Sequence, residues 1–170
     1  MIRILKWFLI AFIFPWYLCL GQDLTSIPEL TGPVVDQVGL LGDNEKSQLE
    51  QKLKAFYQTS QVQSQILIIS TLGQEPIENY SIRVVEKWKL GHKDSDLGLL
   101  LTIVKDDRKM RIEVGQGLEG EITDFTCSRI IRQILAPHFK NGSFYQGLLL
   151  YHQEIESLVK GNAKIGRAHV

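Results

Sequence analysis

LGLLLTIV (97–104), KDDR (105–108) and KMRIEV (109–114) are the stretches on which the fold turns. The first is a continuous apolar run of strand length, the pattern of a strand covered on both faces. KDDR is a polar turn. KMRIEV alternates strictly, which sends Met110, Ile112 and Val114 inward and Lys109, Arg111 and Glu113 outward. Residues 97–114 are therefore a hairpin whose first strand is buried and whose second is half exposed.

Working upstream, QILIIST (65–71) is a second short, β-branched apolar run and reads as another buried strand. Between the two, Pro76 opens a helix whose inner face is Ile77, Tyr80, Val84 and Trp88, with Gly91 at its end. Before residue 65, Leu49, Leu53 and Phe56 recur at helical spacing over 44–59, with Asp43 as the expected N-cap and Glu45 in the first turn. Val34-Val35-Asp36 opens the domain as a short strand or turn. Downstream, Thr123 or Asp124 caps a helix carrying Cys127, Ile130, Ile131, Ile134 and Leu135, expected to stop at Pro137. Ser143 caps a last helix with Leu148, Tyr151 and Ile155 facing in. Buried strands between amphipathic helices predict an α/β fold, a three-layer α/β/α sandwich of Rossmann-like type with a mixed central sheet.

The 170 residues suit one domain, and 19 basic side chains balance 19 acidic ones, so no basic excess points to nucleic acid. Residues 1–21 read as a signal peptide: Arg3 and Lys6 precede an apolar run of about 14 residues, short of the ~20 that span a bilayer, and Cys19-Leu20-Gly21 ends it. Cleavage there implies an exported, periplasmic or envelope protein with Cys127 as its only thiol and no internal disulfide. Residues 22–33 form an extended lead-in, 34–160 the domain, and 161–170 a tail. The tail's last six residues, IGRAHV (165–170), resemble translated sequencing-adapter read-through. The expectation is a longer natural chain, in which a missing C-terminal helix would supply any membrane anchor.

The chain resembles the TPM domain family over about Val34 to Leu158. The resemblance is carried by Val34-Val35-Asp36 with Leu40-Leu41, and by Trp88-Lys89-Leu90-Gly91 leading to Asp96-Leu97-Gly98. It continues through Asp106-Asp107-Arg108-Lys109, Arg111 to Gly115, Gly117-Leu118-Glu119-Gly120, Asp124, Pro137 with Phe139, and Gly147. Leu97 departs from the Asp-Asn-Gly usual in the family. The resemblance implies a Rossmann-like sandwich. It implies calcium binding and acid phosphatase activity for some members, and accessory roles on membrane protein complexes for others.

Several motifs carry less than they promise. Gly115, Gly117 and Gly120 match the dinucleotide pattern after a strand, but the next helix starts only near Asp124, and Glu119 and Glu121 would repel a pyrophosphate, so no nucleotide is expected. Cys127 and Arg132 are one residue too close for a cysteine phosphatase loop, and Cys127 sits on an apolar helix face. His92, His138 and His152 lack zinc-ligand spacing.

The carboxylates form the candidate site. In an antiparallel hairpin the entry to the first strand adjoins the exit from the second, so Asp96 is expected to converge with Glu119 and Asp124, with Asp36 and Asp94 as further members. Carboxylates meeting on loops suit Ca²⁺, which takes oxygen ligands in flexible geometry. The plainer alternative is that these residues cap helices. Three functions follow: a calcium-binding accessory module acting on membrane protein complexes, a metal-assisted acid phosphatase built on the same carboxylates, and a structural envelope domain whose activity lies in a missing C-terminal region.

Overall fold

The computed structural model describes residues 24–91 and 95–166. The expected signal peptide, the end of the tail, and Asp94 with His92 lie outside them. The chain runs β1 (Val34–Asp36), α1 (Asp43–Ser60), β2 (Gln63–Ile69), α2 (Ile77–Trp88), β3 (Gly98–Val104) and β4 (Lys109–Val114). It continues through α3 (Asp124–Ile130), a π turn (Ile131–Leu135), α4 (Ala136–Lys140) and α5 (Phe144–Gly166). The sheet order is β1-β2-β3-β4, with β1, β2 and β3 parallel and β4 antiparallel to β3.

Alternation along the buried strands divides the core in two. Ile66, Ile68, Leu99, Leu101 and Ile112 meet Leu49, Leu53 and Phe56 of α1, Ile130 of α3 and Tyr151 of α5 on one face. Leu67, Ile69, Leu100 and Val104 meet Ile77, Tyr80, Val84 and Trp88 of α2 on the other. The result is the predicted three-layer α/β/α sandwich. β3 is apolar on both faces because both faces are covered, whereas β4 leaves Arg111 and Glu113 half exposed.

α1 and α2 lie on opposite faces although β1, β2 and β3 advance in one direction across the sheet. The two crossovers therefore have opposite hands, so one of them departs from the strong right-handed preference. The loops leaving β1 and β2 consequently diverge to opposite faces of the sheet.

Three local expectations are corrected. Gly42, not Asp43, is the cap of α1, and the Glu45 carboxylate accepts the Gly42 N–H at 3.0 Å. α2 ends at Trp88, where Lys89 turns left-handed at φ 52°, before Gly91 is reached. Pro137 does not stop its helix. The Ala136 N–H bonds to the Ile131 carbonyl, five residues back. That wider turn gives the slack by which a proline ring avoids the carbonyl behind it.

The lead-in is strapped across α2 by hydrogen bonds. Tyr80 Oη donates to the Ser26 carbonyl at 3.2 Å, and Trp88 Nε1 to the Pro28 carbonyl at 2.9 Å. Arg83 reaches the Thr25 carbonyl at 2.9 Å while pairing with the buried carboxylate of Glu75 at 2.7 Å. That carboxylate also accepts the Thr25 N–H at 2.9 Å.

Candidate functional site

Two ends of the sheet carry acidic residues, and the strands keep them apart. At the carboxyl ends of β1, β2 and β3 stand Asp36, Ser70-Thr71 and Asp106-Asp107. Asp36 accepts the Val38 N–H at 3.1 Å and the Leu41 N–H at 2.9 Å, which fixes the loop into α1. Ser70 donates to Asp106 at 2.6 Å, Thr71 donates to Asp107 at 2.7 Å, and the Leu72 N–H donates to Asp107 at 3.1 Å. The Thr71 hydroxyl, then the Leu72 N–H, hold the Asp107 carboxyl below its ordinary value of 3.8. These carboxylates thus bind their own loops together.

At the opposite end, Asp96 enters β3 and the chain leaves β4 through Gly115. The hairpin brings these segments together as expected: the Gly117 N–H donates to the Asp96 carbonyl at 3.2 Å, and the Gln116 N–H to the Asp96 carboxylate at 2.9 Å. The approach is so close that a Cβ on Gly115 would fall on the Asp96 carbonyl oxygen, and one on Gly117 on the Ser95 carbonyl oxygen. The glycines therefore serve contact between two backbones. Asp96 itself adopts φ 44°, held there by these bonds.

Beyond this knot, a groove of about 690 Å³ runs between β4 and α3. Met110, Ile112, Ile122 and Cys127 are among the residues of its floor, and Glu78, Arg111, Glu113, Glu119 and Asp124 supply its charge. Arg111 pairs with Glu113 and lies 3.9 Å from Glu78. Glu119 and Asp124 are exposed, and neither side chain makes a hydrogen bond or ion pair with another described residue. Thr123, whose Oγ1 accepts the Thr126 N–H at 3.3 Å, caps α3, so Asp124 is free of that duty. Burial, then the Asp124 charge, pushes the Cys127 thiol up to about 11, which keeps it protonated at neutral pH.

Of the five carboxylates named from the sequence, Asp94 lies outside the described residues, and the other four stand in three separate places. Glu119 and Asp124 share the groove, whereas Asp96 turns into its own loop. Asp36 lies at the far end of the sheet, roughly 20 Å away along a seven-residue strand at ~3.3 Å per residue. Among the described residues, no group of three or more His, Cys, Asp or Glu side chains is placed to hold a metal ion. The sequence reading missed the groove because it looked for converging acids rather than for an open strand. Part of the signal was present: KMRIEV alternates where the other long strands carry continuous apolar runs, which marks β4 as the less covered strand.

The sequence matches the TPM domain model over residues 34–158. The chain belongs to the TPM domain family. Solved TPM-like structures agree with the fold. The N-terminal domain of a protein from P. gingivalis is 30% identical, with a TM-score of 0.71, covering 78% of this chain and 84% of that one. The BA42 protein of Bizionia argentinensis is 16% identical with a TM-score of 0.62, covering 70% and 81% of the two chains. The N-terminal domain of the cg2496 protein from Corynebacterium glutamicum is 13% identical with a TM-score of 0.60, covering 79% and 84%. No curated protein matched the chain. In this TPM domain, the glycine knot around Asp96 and the loop bonds of Asp36 and Asp107 put those motif residues to architectural use.

Proposed function

We propose that this TPM domain is an exported accessory module that docks on membrane protein complexes through the acidic groove beside β4. The observation that carries the reading is the groove itself: a mostly polar, net acidic trough along an open strand, with Ile112, Ile122 and Cys127 beneath it and Glu119 and Asp124 exposed at its rim. Such a trough offers a partner a surface of one predominant charge beside a strand edge, and charge complementarity gives a docking surface its specificity. Export rests on the basic-then-apolar start of the chain. Among the described residues no helix is long and apolar enough to cross a membrane.

Calcium enters this proposal as a ligand of the groove alone. Glu119 and Asp124 would each contribute carboxylate oxygen, with water completing the six to eight ligands that Ca²⁺ takes. A phosphomonoesterase is the weaker reading, because a phosphate dianion in the groove would meet four carboxylates against one guanidinium.

The test is co-sedimentation of the purified protein with native membrane vesicles, intact or stripped of surface protein by protease, with and without millimolar Ca²⁺. Intact vesicles should carry the wild type down, stripped ones should not, and the pair Glu119→Gln with Asp124→Asn should weaken binding severalfold. Calorimetric Ca²⁺ binding should be lost with Asp124→Asn and kept with Asp107→Asn, at the other end of the sheet. Undiminished sedimentation of the double variant would refute the groove as the docking surface.

A further inference from the structure

The open side of β4 has a specific chemistry. Gly115 N–H bonds to the Gly98 carbonyl at 2.8 Å, which makes Gly98 and Gly115 a hydrogen-bonded pair of the antiparallel ladder. Pairs alternate along such a ladder. With Leu100 opposite Glu113, Thr102 opposite Arg111 and Val104 opposite Lys109, those three pairs exchange bonds inside the sheet. The N–H and C=O groups of Met110, Ile112 and Val114 therefore point outward, away from β3. No fifth strand lies there among the described residues, since the sheet ends at β4.

Natural edges are usually blunted by proline, a bulge, inward charges or a covering element. β4 has six residues, no proline, and full register with β3. Its one fully exposed charge is Lys109, at the hairpin end. The half that carries Ile112 to Val114 faces the groove instead. Strand and groove thus offer a backbone template beside a side-chain trough.

We infer that this edge accepts an extended peptide segment of a partner protein, one carrying Lys or Arg at alternate positions. An added strand places the side chains opposite Met110 and Ile112 on the same face as those residues, toward α3. The space there is mostly polar and net acidic: Glu78, Glu113, Glu119 and Asp124 line it against Arg111, whose charge Asp124 shares with Glu113 and Glu78, and Glu119 and Asp124 stand exposed. Long basic side chains suit it, with the methylene stem along Met110 and the cationic head at the rim. Acidic side chains at those positions would be repelled. Side chains opposite Arg111 and Glu113 fall on the α2 face, where those two residues already pair, and are less restricted.

This inference deepens the docking reading above and rests on it, and the experiment separates the two. The probe is the acetylated, amidated hexapeptide VKVKVK, added to the full chain and followed by backbone amide exchange and by calorimetry. Three controls accompany it: VEVEVE, VKVKVK methylated on alternate backbone nitrogens, and the chain carrying Glu119→Gln with Asp124→Asn. VKVKVK should slow exchange of the Met110, Ile112 and Val114 amides while leaving Arg111 and Glu113, already bonded to β3, unchanged. The double variant should bind it roughly tenfold more weakly, about 1.4 kcal/mol. N-methylation, which removes donors from the peptide without touching the protein, should abolish saturable binding.

Equal binding of the methylated peptide or of VEVEVE would overturn strand addition. So would protection that maps away from β4. If the three amides become protected without peptide as protein concentration rises, the edge takes a second copy of this chain and the inference falls. Loss of vesicle binding in the double variant, together with equal binding of the methylated peptide, would leave the groove as a docking surface and remove only the added strand.

Discussion

Replacing Glu75 by alanine should unclasp the lead-in from α2. The Glu75 side chain is only 3% exposed and faces Arg83, itself 30% exposed, at 2.7 Å. Its carboxylate accepts Arg83 Nε at 2.9 Å, Arg83 Nη2, and the Thr25 N–H at 2.9 Å. Truncation removes these charge-assisted bonds and leaves a guanidinium over the Tyr80 ring with one remaining acceptor among the described residues, the Thr25 carbonyl. Breaking a fully buried pair costs about 3–5 kcal/mol. Arg83 can recover part of that through water, so the expected loss is about 2–4 kcal/mol. With a urea slope of about 2 kcal/mol/M, the unfolding midpoint should fall by roughly 1–2 M. Arg83→Met should cost at least as much, because it strands the more deeply buried Glu75 carboxylate with the Thr25 N–H as its remaining partner among the described residues. The double variant should show a coupling of at least about 1 kcal/mol. A Glu75→Ala loss below about 1 kcal/mol, or additive single effects, would mean that the strap does not hold the lead-in. The result bears on processing, since the strap begins at Thr25, four residues after the expected cleavage at Gly21.

Two further outcomes follow from the titrating groups. Because hydrogen bonds lower the folded Asp107 pKa, its stabilisation is present above the unfolded value of 3.8 and is lost as pH falls through the folded value. Urea midpoints between pH 6 and 2 should show an acid limb that Asp107→Asn makes shallower, and an unchanged limb would contradict the loop bonds to Thr71 and Leu72. The Cys127 thiol, raised to about 11 from 9.0, favours the folded state below the unfolded value and loses that contribution as pH climbs toward 11. Cys127→Ala should flatten this part of the alkaline limb, and native wild type should react with a thiol reagent at pH 8 far more slowly than unfolded chain; equal rates would refute burial.

Two strands and the hairpin were legible because their apolar runs have strand length and KMRIEV alternates with period two. α1, α2 and α5 were legible from their apolar spacing, and the three-layer sandwich follows from strands that are apolar on both faces. The π turn that carries the helix through Pro137 was not legible, because it depends on a wider turn that no residue type marks. The strap was equally hidden: Glu75 and Arg83 lie on either side of Pro76, and nothing in their spacing says that both meet Thr25.

The candidate site divides along the same line. The sequence alone determined that Asp96 and the chain after β4 would meet, since antiparallel geometry makes entry and exit neighbours. It could not say what their side chains would do on meeting. There the glycines let two backbones touch, Asp96 spends its carboxylate on the Gln116 N–H, and Thr123 relieves Asp124 of capping. Only the tertiary structure could put Asp36 at the far end of the sheet and leave Glu119 and Asp124 beside an open strand. Those placements depend on which face each crossover takes and where α3 packs, and both are settled by contacts between residues distant in the chain.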